Sequence, residues 1–245
     1  MNPSMPNDIA FYRERIPSSG ASILELGCGT GRVLVPLVKD CAYIHGVDVS
    51  AAMVSICREK LANALIPATR ACVQVGDITN LSLDKTFDLI TAPCRVFQNL
   101  ETDAETNGFF ETVRKHLAPG GRCVLDVFKP KSDRAAMRQE WAKQEEYGSW
   151  ERLTDGGRIT CCGRSAHMHP EKMILYPELI YRTYHDNRLV EEVVLSIVMR
   201  CYYAEEFEQM ITGHGFEILQ RWGGYSGETY GEGPELLIEF QESIS

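Results

Sequence analysis

Residues 24–33, "LELGCGTGRV", decide how this chain folds. A short apolar run ends at Leu26, three glycines follow at alternate positions (Gly27, Gly29, Gly31), and a helix-compatible run opens at Arg32. A glycine-rich turn between a strand and a helix lets the backbone approach a ligand closely, because no Cβ blocks it and positive φ is allowed. The helix behind the turn presents unpaired N–H groups to a polar or anionic group.

The neighbouring segments supply the sheet around that turn. "ASILEL" (21–26), "AYIHGVDV" (42–49), "ACVQVGD" (71–77), "TFDLITAP" (86–93) and "RCVLDVF" (122–128) read as short buried strands. Between them, "RVLVPLVKD" (32–40), "AAMVSICREKLANAL" capped by Ser50, and "DAETNGFFETVRKHL" (103–117) closed by "APGG" read as helices. A short helix is expected at 7–16. Strands alternating with helices imply a parallel sheet with helices on both faces. The pattern then breaks. After a helix at 131–144, "SWERLTD", "RITCCGRSAHM", "MILYPELIYRTY" and "LVEEVVLSIVM" read as antiparallel strands separated by "DGG", "HPEK" and "HDNR". A helix at 204–213 and the strands "FEILQRW" and "ELLIEF" finish the chain. The expected architecture is an α/β core of residues 1–130 and 201–245 carrying a helix plus an antiparallel β insertion at 131–200.

Composition bounds the function. The net charge is −9, which argues against a broad surface for nucleic acid or anionic membrane. The 9 cysteines are scattered, with no C-x-x-C pair, so neither a disulfide framework nor a zinc site is expected. "MNPSMPNDIA" has no basic region followed by an apolar run, and no apolar stretch approaches membrane-spanning length. A cytoplasmic protein without a membrane segment is the expectation.

The glycine spacing G-x-G-x-G differs from the dinucleotide fingerprint G-x-G-x-x-G in its early third glycine. Glu25 stands just before the loop, Asp48 ends the second strand, and Asp77 ends the third. A carboxylate at Asp48 can accept both hydroxyls of a ribose, and one at Asp77 can accept from an adenine amino group. A strand-to-helix turn and two capping acids are the plainer alternative.

"ILELGCGTGRV", "GVDVS", "VGDITNL", "FDLITAP" and "LAPGGR", in that order, resemble the motifs of class I S-adenosylmethionine-dependent methyltransferases. The resemblance covers about residues 21–128. "APCRVFQNL" (92–100) resembles a P-x-R-x-F-Q block of bacterial and archaeal members, a subgroup that names no substrate. It implies a Rossmann-like doubly wound sheet, mostly parallel, with an antiparallel C-terminal strand. It also implies that Gly27, Cys28, Gly29 and Gly31 line S-adenosylmethionine, with Glu25 supporting its amino end. Asp48 would hold the ribose, Val49 or Met53 would lie against the adenine, and Asp77 and Ile78 would bind the adenine edge. Ala92, Cys94 and Phe97 would lie near the sulfonium, and Tyr12 and Arg32 complete the expected cofactor neighbours. Phe11 and Tyr12 are, with Phe97, aromatic candidates for the cationic sulfur.

Arg95 could bind a substrate carboxylate with two prongs or form a surface ion pair. Tyr181, with Tyr176, Tyr184 and His185, lies on the insertion as a packing residue or a substrate contact. His167 and His169 alternate on one strand, without an evident third ligand, so no metal is expected. The insertion is expected to cover the substrate side, to join a second subunit through "LVEEVVLSIV", or both. Methyl transfer to a small-molecule amine or hydroxyl is the leading expectation. The absence of a strong base constellation leans to N-methylation. A non-catalytic cofactor-binding module, an NAD-dependent oxidoreductase and a nucleic-acid methyltransferase are the alternatives. "APCR" stands where the last would carry an Asn-Pro-Pro-aromatic motif.

Overall fold

The structure is a computed structural model that describes residues 7–154 and 157–243. The leader reading of residues 1–6 and the turn reading at 155–156 lie outside the described residues. The chain divides into two compact units. The first is built from the residues up to Phe97, Thr102–Lys129, and the residues from Tyr203 onward. The second comprises Gln98–Glu101 and Pro130–Tyr202.

The first unit is a seven-stranded sheet. Its chain order is α1 (Asp8–Glu14), β1 (Ser22–Leu26), α2 (Leu34–Leu37), β2 (Tyr43–Asp48), α3 (Ala51–Asn63), β3 (Ala71–Val75), β4 (Phe87–Ala92), α4 (Asp103–His116) and β5 (Leu117–Phe128). After the second unit follow α6 (Ala204–Gly213), β11 (Phe216–Trp222) and β12 (Glu235–Glu242). The strand order is β11-β12-β5-β4-β1-β2-β3. β3, β2, β1, β4 and β5 are parallel, while β12 pairs antiparallel with both β5 and β11. The chain winds outward from β1 to β3 and returns to β4 on the other flank of β1. This reversal is the point where open α/β sheets bind ligands, beyond the carboxyl ends of the strands.

Local chemistry explains the helix starts. Ser50 caps α3, its Oγ accepting from Met53 N–H at 3.3 Å. Thr102 and Glu105 form a reciprocal capping box at α4, with bonds of 3.1 and 2.7 Å. Two readings change in detail. The helix expected at 32–40 reduces to α2 and a 3-10 turn at Val38–Asp40; Pro36 removes one amide donor from so short a segment. "APGG" does not simply separate helix from strand. It lies within β5 as an irregularity, since Phe87 pairs with Leu117 whereas Leu89 pairs with Arg122.

An aromatic core fills the side of the sheet toward α4. Phe97, Phe109, Phe110, Phe207, Phe216 and Phe240 are all buried. Their rings meet mostly edge-on or tilted, with centroids 4.9–6.2 Å apart. Burial contributes about 1.5–3 kcal/mol for each such side chain.

The second unit holds α5 (Arg134–Trp141) and the antiparallel strands β6 (Glu146–Thr154), β7 (Gly157–His169), β8 (Ile174–His185), β9 (Arg188–Ser196) and β10 (Met199–Arg200). The order is β10-β8-β7-β6, with β9 also pairing β8. Arg182 ties the strands crosswise, bonding Glu146 of β6 and Glu192 of β9 at 2.8 Å each. All nine residues of β9 are exposed, including Leu189, Val190, Val193, Val194 and Leu195.

Candidate active site

The glycine loop joins β1 to α2 at the reversal point. Gly27 N–H and Cys28 N–H both donate to Val47 O, at 2.8 and 3.0 Å, which binds the loop to the end of β2. Gly27, Gly29 and Gly31 have φ of +74°, +52° and +76°. The three glycines answer to different constraints. A Cβ on Gly27 would lie 2.2 Å from Val96 Cγ2, and one on Gly31 would lie 2.5 Å from Cys57 Sγ. The protein's own packing therefore excludes side chains at both positions. A Cβ on Gly29 would meet nothing closer than 3.7 Å. A methyl there would make only ordinary contacts, with Met53 Sδ and Asp48 Oδ2, so the backbone angle and not packing sets the demand for glycine.

Asp48 sits beside that glycine. Its Oδ2 accepts from Gly29 N–H at 2.8 Å and its Oδ1 from Ser50 N–H at 2.9 Å. An ionised carboxylate has about four lone-pair sites. Two backbone bonds leave capacity for hydroxyl donors of a ligand. Val49 and Met53 flank it, 76% and 46% exposed, unusual for apolar side chains beside a sheet. Asp77 is exposed, two residues past the end of β3, with Oδ1 accepting from the N–H and Oγ1–H of Thr79 at 2.8 Å each. Ile78 beside it is buried. Below the loop, Glu25 is 1% exposed and its Oε2 has no hydrogen-bond partner. Burial pushes this carboxyl well above the usual glutamate range.

On the other flank, β4 ends at buried Ala92, and Cys94 and Arg95 follow with φ of +62° and +63°. Two successive left-handed residues that are not glycine cost roughly 1–2 kcal/mol each. Asp126 on β5 accounts for their retention. Its Oδ2 accepts from Arg95 N–H at 2.9 Å, its Oδ1 accepts from Tyr12 Oη–H at 2.6 Å, and Tyr225 donates to the same carboxylate. Asp126 and Tyr12 are wholly buried. Burial raises the Asp126 carboxyl above its ordinary range, against the three hydrogen bonds that favour its charged form. Burial, then the Asp126 charge, raises the Tyr12 phenol.

Arg95 reaches the opposite way. Its guanidinium makes a two-pronged contact with Glu235, through Nη2 and through Nε at 3.2 Å, and lies 5.7 Å from the Phe128 ring centroid. Cys94 Sγ accepts from Arg32 Nη2 at 2.6 Å, and Arg32 also pairs with buried Asp8 of α1. The turn after β4, the glycine loop, α1 and the end of β5 thus form one connected patch within the first unit.

The structure brings Glu25, the glycines, Cys28, Arg32, Asp48, Val49, Met53, Ala92, Cys94 and Arg95 to the carboxyl ends of the strands, as the motif spacing implies. Phe97 is a correction. It is fully buried against Phe109, Phe110 and Phe207, so it is core and borders no cofactor space. Phe11 and Tyr12 also depart from the aromatic reading. Phe11 is buried edge-on to Tyr12, Trp222 and Tyr225, and the Tyr12 hydroxyl faces Asp126. Arg95 has its internal carboxylate partner in Glu235. In the second unit, Tyr181 packs edge-on to Trp150, with centroids 6.0 Å apart. His167 stacks on Tyr176, and His169 Nδ1 accepts from Lys172 N–H at 3.4 Å. Among the described residues no group of three or more His, Cys, Asp or Glu side chains is placed to hold a metal. Sequence reasoning missed Asp126, Glu235 and Tyr225. The first two carried a signal, since each is a lone acid in or beside an apolar strand, "VLDVF" and "PELLI".

Residues 23–121 match the family described as methyltransferase domain. An N,N-dimethyltransferase of dTDP-3-amino-3,6-dideoxy-alpha-D-glucopyranose from Streptomyces fradiae is 28% identical over 223 residues, spanning 90% of this chain and 79% of the relative. The cypemycin N-terminal methyltransferase of a Streptomyces species is 29% identical over 122 residues, 50% of this chain and 48% of the relative. The chain spans about half the length of the first curated relatives it matches. A Clostridium acetobutylicum S-adenosylmethionine-dependent methyltransferase superposes with a TM-score of 0.77 at 16% identity, covering 99% of this chain and 94% of the other. An S-adenosylmethionine-bound amino pentose methyltransferase from Micromonospora echinaspora, involved in calicheamicin biosynthesis, gives 0.73 at 20% identity, covering 99% and 93%. These likenesses establish the fold.

Proposed function

We propose that this chain is a class I S-adenosylmethionine-dependent methyltransferase that methylates an amine on a small molecule, a reading the family match and the fold support. The observation that carries the reading is Asp48 bound to the Gly29 N–H of the loop with acceptor capacity to spare, flanked by exposed Val49 and Met53. Packing explains the other two glycines but not this one. A carboxylate with free acceptor capacity and apolar side chains beside it suit a nucleoside.

The residues fit S-adenosylmethionine in kind. Asp48 would accept from the ribose hydroxyls, Val49 and Met53 would cover the adenine, and Asp77 would accept from its amino group. Glu25, with its Oε2 unpartnered below the loop, would support the amino end of the ligand. When bound, S-adenosylmethionine supplies an activated methyl whose departure leaves a neutral thioether. The chain's contribution is positioning and exclusion of water. The Cys94–Arg95 turn would border the acceptor. An amine acceptor needs only to arrive neutral, and among the described residues no base is paired for a hydroxyl at this edge.

The relatives whose names specify amino sugars support an amino sugar as the acceptor class. In the second unit, exposed β9 would pair with a second copy of the chain. No helix among the described residues is long and apolar enough to cross a membrane.

Calorimetric titration with S-adenosylmethionine and with NAD tests the cofactor, using wild type and Asp77→Ala. The Asp77 side chain bonds only Thr79 locally, so its loss should weaken S-adenosylmethionine at least about tenfold, or ~1.4 kcal/mol, while leaving stability nearly unchanged. Absence of S-adenosylmethionine binding to the wild type would overturn the reading, and tighter NAD binding would favour an oxidoreductase. Product formation with a panel of nucleotide-linked amino sugars then tests the acceptor. Cofactor binding with no turnover of any amine in that panel would favour a non-catalytic module.

A further inference from the structure

Two adjacent left-handed residues need a reason, and the reason lies 31 positions along the chain at Asp126. One fully buried carboxylate receives the Arg95 amide from the turn after β4, the Tyr12 hydroxyl from α1 and the Tyr225 hydroxyl from the segment before β12. Among the described residues all three donors are a backbone amide and two phenols; the Arg95 guanidinium, whose charge also favours this carboxylate, is bonded to Glu235. A buried acid retained without an ion pair stabilises a core poorly. What its oxygens do is fix three separate segments to one point. The turn they fix also carries Val96 against bare Gly27 and Cys94 against Arg32 of the glycine loop.

We propose that Asp126 is a positioning residue: its carboxylate sets the Cys94–Arg95 turn, and through it the border between the glycine loop and the acceptor side. The proposal rests on the methyltransferase reading for what that border is used for. The connection of Asp126 to the turn stands on the hydrogen bonds alone.

Cys94 provides a probe at the turn itself: the residue reaches the surface while its sulfur is packed against Arg32. The charged and titratable groups facing it are Asp126 on β5, Arg32 on the glycine loop, Asp8 and Tyr12 on α1, and Tyr225. Burial of the sulfur and then the Asp126 charge push its thiol up to about 12, while Arg32 opposes them. Removing the Asp126 charge lowers that value, and freeing the turn lowers it further by exposing the sulfur.

The test is the rate of Cys94 alkylation by iodoacetamide, mapped by mass spectrometry across pH 7–10. It uses the full chain, with and without the S-adenosylmethionine analogue sinefungin, in wild type, Asp126→Asn and Tyr12→Phe. In the unliganded protein Asp126→Asn should raise the pH 8 rate at least tenfold and move the pH profile down, with Tyr12→Phe giving a smaller change in the same direction. Sinefungin should protect Cys94 in the wild type at least tenfold. In Asp126→Asn it should bind within threefold of the wild-type affinity yet protect less than twofold. Unchanged alkylation rates in a folded Asp126→Asn protein, or protection equal to wild type, would overturn the proposal. If Asp126→Asn does not fold, Tyr12→Phe decides, and an unchanged profile there overturns it. Failure of the wild type to bind sinefungin would instead count against the cofactor reading, and the unliganded rates would still decide whether Asp126 sets the turn.

Discussion

Gly29→Ala and Gly27→Ala differ by one methyl group on the same loop, and the structure assigns them opposite consequences. At Gly29 the added Cβ meets Met53 Sδ at 3.7 Å and Asp48 Oδ2 at 4.0 Å, both ordinary contacts. The remaining penalty is the backbone, held at φ +52°, which costs an alanine roughly 1–2 kcal/mol. For a chain of this length, 1 kcal/mol lowers Tm by about 2–4 °C, so the expected fall is about 2–8 °C. At Gly27 the same backbone cost applies, and the methyl also arrives 2.2 Å from Val96 Cγ2. Overpacking adds about 1–3 kcal/mol, for a total of about 2–5 kcal/mol and a Tm loss of about 4–20 °C. The order reverses for ligand binding per folded molecule. The Gly29 methyl lies against Asp48 and Met53, where the cofactor reading puts the ribose, and should weaken S-adenosylmethionine at least tenfold, or ~1.4 kcal/mol. Thermal unfolding by circular dichroism and calorimetric titration at 15 °C read the two effects separately. Wild-type affinity in Gly29→Ala would refute the assignment of that space to the cofactor. Equal Tm losses in the two variants would refute the packing distinction.

Phe97→Ala should cost about 3–5 kcal/mol in urea unfolding while leaving S-adenosylmethionine affinity of the folded protein within threefold, because its ring lies wholly in the aromatic core. Arg95→Ala strands Glu235, whose side chain is 5% exposed, and should cost on the order of 2 kcal/mol. That is below the loss for a fully buried pair, since the guanidinium is one-third exposed. The double variant with Glu235→Gln should lose less than the sum of the two single variants, as a double-mutant cycle in urea would show. Glu25 has a folded-state pKa raised by burial. The folded protein therefore holds this proton at pH values where the unfolded chain has released it, and stability falls as pH rises through about 4.3 toward the folded value. Glu25→Gln should accordingly unfold at a higher temperature than wild type at pH 8 and at nearly the same temperature at pH 4. A Tm gain at pH 4 equal to that at pH 8 would show that the carboxyl is not desolvated in the native state.

Much of this protein was encoded in short stretches. The alternation of apolar strands with helical segments, the Ser50 cap and the glycine spacing required only neighbours in sequence, and each appears where its local chemistry places it. The glycine loop, Glu25, Asp48 and Asp77 were legible for the same reason: strand ends are local features, and parallel winding brings them to one edge. Phe97 was not legible, because a ring one turn past β4 can face the ligand or the core, and Phe109, Phe110 and Phe207 decide which. Nor was Arg95, whose partner Glu235 lies 140 residues away. Asp126 shows the division most clearly. Its sequence context marked only an acid within an apolar strand, and burial of an acid is unfavourable until donors arrive. Those donors come from α1, the turn after β4 and the segment before β12, which are brought together by the antiparallel return of β12 beside β5. Hydrophobic periodicity is a local property that a single segment carries by itself, whereas satisfying a buried charge depends on groups that only the closed fold assembles.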